Sequence, residues 1–172
     1  MARHQNVQQR AAYVAAGLAV ASAATTAYWL LGGTALPDTV GGYPEELVRT
    51  RSAAALAVGL LVVGAKAAAG IIALALVHPI GPMRRLLVVL GSAGGLLLTV
   101  YGGLLVIVGA LVLADVIHPE GAVDRRVHTW HVALWDLWFL VWGLTLGLAA
   151  WSCSRALRSH PDHRPQSRRA SG

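Results

Sequence analysis

Four apolar runs, almost free of ionisable residues, most constrain what this chain can become; they lie at about 11–31, 53–77, 86–114 and 129–151. Roughly 20 apolar residues wound as helix cross the roughly 30 Å hydrocarbon core of a bilayer, and each run is long enough to do so. Only 13% of the residues are charged, against about a quarter in soluble domains. The expected fold is therefore all-α, an integral membrane four-helix bundle. Residues 1–10 form a basic tail, 11–152 the membrane domain, and 153–172 a second basic tail, which Pro161 and Pro165 should keep disordered.

The ends of the runs carry their own signals. Gly32-Gly33 closes the first, with Tyr28 and Trp29 placed where amphipathic rings sit at headgroup level. Pro44-Glu45-Glu46 suits a first helical turn ahead of the second run, because proline is tolerated there and acids face the positive end of the helix dipole. His78-Pro79 and His118-Pro119 end the second and third runs, since proline disfavours helical geometry in the residue before it. Ala21-Ser22-Ala23 imitates a signal-peptidase site, but the apolar run continues unbroken to Leu31, so a retained anchor is expected.

Charge orients the bundle. Nine arginines (Arg3, Arg10, Arg84, Arg85, Arg155, Arg158, Arg164, Arg168 and Arg169) fall on one side of the four runs. Four (Arg49, Arg51, Arg125 and Arg126) fall on the other, where acids dilute them. Basic flanks are retained in the cytoplasm, so both termini should be cytoplasmic and the protein multi-pass in the cell's inner (plasma) membrane. A net charge of +6 gathered at one membrane face argues against a nucleic-acid partner, and Cys153, alone, excludes a disulfide scaffold.

Lipid gives helices no hydrophobic reason to associate, so small residues mark contact faces. Gly91, Gly95, Gly102 and Gly109 form such a stripe in the third run, Gly143 and Gly147 a G-x-x-x-G in the fourth, and Gly59, Gly70 and Ala73 a face of the second. Two ionisable residues lie well inside runs, where a charge costs about 2.5 to 3.5 kcal/mol on insertion scales. Lys66 shares the Gly59, Gly70, Ala73 face, and Asp136 shares the Gly143, Gly147 face. They are a candidate intramembrane polar pair. They fit a register-fixing ion pair, a proton, ion or substrate site, or a lysine held neutral.

His131, Trp135, Trp138 and Trp142 recur at spacings of four, three and four, which on a regular helix places them on a different face from Asp136. Trp135, Trp138 and Trp142 are candidates for core packing or for the wall of a flat lipid, quinone or isoprenoid site. His128 and His131 are weak metal candidates without a closed ligand set, and no cofactor is expected. His78 and His131 belong to opposite membrane faces, so one haem cannot bridge them. Cys153 reads as a membrane-edge thiol without an activating histidine, and neither a phosphate loop nor a paired-carboxylate arrangement appears, which leans against an enzyme.

Tyr28-Trp29-x-x-Gly32-Gly33 and Trp135-Asp136-x-Trp138-Phe139-x-x-Trp142-Gly143 resemble elements of small bacterial membrane proteins, of actinobacterial type, known only as a domain of unknown function. The resemblance spans roughly 11–151 and implies a four-helix membrane protein without an established activity. Lys66, His128 and His131 lie outside that pattern. The expected role is a non-catalytic component that binds a lipid-like ligand or a partner membrane protein, in contact with membrane lipids and with a membrane-protein partner or a second copy of itself. A small ion- or proton-coupled carrier using Lys66 and Asp136 is the alternative, and a membrane enzyme on a lipid or isoprenoid substrate a third reading.

The charge asymmetry makes a testable statement about topology. A reporter that fluoresces only in the cytoplasm should glow when fused after Gly172 and stay dark when fused after His118; the reverse pattern would overturn the orientation.

Overall fold

The computed structural model describes residues 2–33, 52–78, 81–118 and 125–158, and every regular element among them is helical. In chain order these are α1 (Ala2–Leu30), α2 (Ala53–Ala75), a 3-10 turn at Gly81–Met83, and α3 (Arg84–Leu113). Then follow α4 (Arg125–His131), a π-helical turn at Val132–Asp136, and α5 (Leu137–Arg158). Four helical stretches are long and apolar enough to cross a membrane, Asn6–Leu30, Ala53–Ala75, Arg84–Leu113 and His128–Ala156. The fold is a four-helix membrane bundle. The Pro44-Glu45-Glu46 segment and the chain beyond Arg158 lie outside the described residues.

Helix extends into both expected tails. α1 starts at Ala2, because residues 2–10 contain neither glycine nor proline and several good helix formers. At the other end α5 runs through Ser152, Cys153 and Ser154 to Arg158. Cys153 is fully buried, in a cluster with Ala11, Ala12, Ala149 and Ala150.

Local chemistry explains where the helices stop. The Gly32 and Gly33 amides donate to the carbonyls of Trp29 and Tyr28, at 3.0 and 2.9 Å, which is the bonding of a Schellman cap. That cap requires a left-handed residue, and Gly32 supplies it with φ of 100°. A side chain at Gly33 would collide with the Tyr28 ring, so the Tyr-Trp-x-x-Gly-Gly element is one folded unit. Asp115, with φ of 55°, closes α3 in the same way: its amide bonds Val112 and that of Val116 bonds Leu111. Arg125 then ties the start of α4 to this cap, donating to Leu113 O and to Asp115 Oδ2, the latter at 3.0 Å. At the start of α2 the Ser52 hydroxyl accepts from the Ala55 amide at 3.1 Å.

α1 packs against α2 on one side and α5 on another, while α3 packs against α5; α2 meets α5 and α3 only slightly. Alanines make the α1 contacts possible, since Ala11, Ala12, Ala15, Ala16 and Ala19 are all buried. The Gln8 side chain donates to Leu76 O at 2.6 Å, joining the start of α1 to the end of α2. Glycines make the α3 contacts. Gly91, Gly95, Gly102 and Gly109 are buried, and a Cβ added to them would meet Ala150, the Gly147 backbone, the Leu140 backbone and Val132 in turn. Large side chains on the outer faces, Leu61, Ile71, Leu96 and Leu97 among them, are exposed in the bundle and available to lipid.

This geometry separates contact positions from lipid-facing ones. Gly102→Leu should lower stability in detergent by about 1 to 3 kcal/mol, because the backbones of α3 and α5 must part to admit a side chain. Leu97→Ala, at a position 71% exposed, should change it little. Comparable losses in thermal unfolding would place the glycine stripe on the wrong face.

Candidate functional site: polar residues inside the bundle

Lys66 and Asp136 do not meet. The Gly59, Gly70, Ala73 face of α2 turns inward as its spacing predicts, but what it meets is α1: a Cβ at Gly70 would touch Ala19, and one at Gly59 would run into Leu30. Lys66 lies on that face. Its Nζ donates to Thr26 Oγ1 at 2.8 Å and to Ser22 O at 3.3 Å. Thr26 in turn donates to Ser22 O at 3.1 Å, so hydroxyl and carbonyl form a small acceptor niche on α1. Hydrogen bonds to a charged group contribute roughly 1.5 to 3 kcal/mol each, which matches the roughly 2.5 to 3.5 kcal/mol that a charge costs at the centre of a span. A carboxylate partner is not needed to hold Lys66 there.

Asp136 is buried at 3% exposure, in the fourth span. Its Oδ1 lies 3.5 Å from His131 Nε2, the two side chains being 5% and 30% exposed. On a regular helix residues five apart diverge by about 140°, so periodicity separates them. The π-turn removes that divergence. The Leu137 amide reaches back five residues to Val132 O, which inserts one residue into the turn and brings His131 over Asp136. The expectation that His131 shares a face with the tryptophans and not with Asp136 is corrected by this insertion. Asp136 Oδ1 and His128 Nε2 are both buried without a hydrogen-bond partner.

The tryptophans have separate roles. Trp135 packs on Trp29 with ring centroids 5.5 Å apart, so the two elements that suggested a family, one closing α1 and one in the fourth span, touch each other. Trp142, 2% exposed, lies in the core cluster and stacks on Phe139 at 6.3 Å, with Trp138 packed against the same cluster. Among the described residues no three His, Cys, Asp or Glu side chains gather as metal ligands would.

A different feature was invisible to spacing arguments. On the outer side of the α3–α5 contact an open groove of about 410 Å³ is lined by Gly95, Thr99, Gly143, Gly147 and Trp151. The glycines belong to the stripes already recognised, but helical spacing marks a close approach without showing which edge of it stays open. Gly147 makes the distinction plain: its amide and Cα approach Gly95, while a Cβ of its own would meet nothing within 4 Å. Trp151 stands at one end with the Arg155 guanidinium 4.3 Å above its ring.

Bundle, caps and buried polar residues define a four-span helical membrane protein. Residues 19–146 match the model of the family described as "protein of unknown function (DUF3995)", and the chain belongs to that family. No curated protein and no solved structure matches it. The match includes both motif elements, Lys66, and the whole π-turn.

Since α1 takes up Lys66 before the fourth span is reached, Lys66→Met and Asp136→Leu should destabilise independently. Their losses should add to within about 0.5 kcal/mol in the double variant. A larger coupling would restore the direct pair.

Proposed function

We propose that the protein is a non-catalytic component of the cell's inner (plasma) membrane, with cytoplasmic termini, that binds a lipid-like molecule along the α3–α5 groove. The observation that carries this reading is the groove itself: about 410 Å³, within the range of small-molecule sites. Gly147, only partly buried, leaves backbone open on a surface whose natural neighbour is an acyl chain. Such a chain regains the dispersion contacts that missing side chains leave unmade. At the Trp151 end, Arg155 lies where a chain seated in the groove would place an anionic headgroup, and the indole beneath it suits the interface. Ser92 and Thr99 add hydroxyls to the lining, although Thr99 already donates to Gly95 O at 2.7 Å.

Gly147→Leu tests the reading, because a Cβ at Gly147 meets no other atom within 4 Å and Gly147 lines the groove. Native mass spectrometry after gentle extraction should find phospholipid on the wild type and on Gly17→Leu, a control whose Cβ also meets open space, and little on Gly147→Leu. Equal lipid on all three would defeat the proposal. A lipid-free dimer that Gly147→Leu dissociates would instead assign the groove to a helix of a partner protein.

A further inference from the structure

We propose that His131 and Asp136 form a proton-binding pair, entered from the membrane face at which α4 begins. The site sits at the opposite end of the fourth span from Arg155 and does not depend on what fills the α3–α5 groove.

The case begins with the π-turn. Single π-turns inside α-helices break the bonding ladder, and they cluster at functional sites. Here the inserted residue sets a half-exposed imidazole over a carboxyl that is closed to solvent. A buried carboxylate with an oxygen lacking any hydrogen bond is expensive unless it is paired or neutralised. The His131–Asp136 pair offers both outcomes with one proton. An imidazolium beside a carboxylate and a neutral imidazole beside a carboxylic acid carry the same zero net charge. They interconvert when the Nε2–H bond breaks, its electron pair stays on nitrogen, and an Oδ1–H bond forms. His131 is 30% exposed and Asp136 5%, so the proton comes in through the imidazole.

Within the described residues the titratable neighbours of Asp136 on its own span are His131 and His128. His128 lies one turn nearer the start of α4, with a buried Nε2 lacking a hydrogen-bond partner. From α3 the titratable group is Tyr101, packed edge-on against Phe139 at 5.5 Å. From α1 it is Tyr28, folded against Gly33. Lys66 of α2 is committed to Thr26 and Ser22, and Asp115 to Arg125. Asp136 instead faces an imidazole, a group able to hold or release a proton, at 3.5 Å.

Infrared spectroscopy of the full chain in lipid nanodiscs, with aspartate labelled with carbon-13, reads the site directly. The wild type should show a protonated-carboxyl band that shifts with the label and varies with pH in step with the imidazole bands. Asp136→Asn should remove that band. In His131→Gln the carboxyl should exchange its proton for deuterium about a hundredfold more slowly, the lower end of what a positioned proton-transfer group contributes. Unchanged exchange in His131→Gln, or a wild-type spectrum without a label-sensitive, pH-dependent carboxyl band, would overturn the proposal. Should either variant fail to fold, the wild-type band decides: its presence in step with the imidazole supports the pair, and its absence removes it.

Discussion

Where Gly95 meets Gly147, and Gly102 meets Leu140, two helices touch backbone to backbone, and the other arrangements of the bundle depend on that approach. Within a bilayer apolar side chains are as comfortable against lipid as against each other, so association rests on close contact alone. Glycine on both helices lets α3 and α5 approach more closely than side chains allow. The same approach leaves Gly147, partly exposed, in the groove beside Leu96, Leu144 and Leu148. Packing and candidate binding surface therefore share a cause.

The π-turn is the second departure from ideal geometry, and it acts on orientation instead of distance. Val132 meets Gly109 ahead of the insertion, while Leu140 and Gly143 meet α3 after it. One extra residue lets the fourth span keep contact with α3 along its length while turning Asp136 toward His131. Trp135 is turned at the same point onto Trp29, beside the glycine cap that ends α1. Cap, aromatic pair and acid–imidazole pair occupy one end of the molecule; Arg155 and the Trp151 end of the groove occupy the other.

α1 explains why the two intramembrane charges stay apart. Its alanine face admits α5, and Ser22 and Thr26, further along, supply oxygen to Lys66. A lysine satisfied by neutral acceptors leaves Asp136 to its own histidine. Lys66 is accommodated within one helix pair, which suits a medium in which an unpaired polar atom has no water to fall back on.

Much of this was legible from the chain alone. Run length and the paucity of charge determined four membrane helices, because the thickness of the hydrocarbon core permits little else. Glycine spacing determined the α3 contact face, because a stripe follows from 3.6 residues per turn wherever the helix is regular. Periodicity also turned Lys66 inward but did not name its partner, since a face pattern carries no information about which neighbouring helix it meets. Only tertiary structure decided that α1 stands there, that Gly147 opens onto a groove, and that His131 lies over Asp136. The last is the clearest case: a π-turn changes the angular period itself, so a reading built on a constant 100° per residue assigns His131 and Asp136 to different faces.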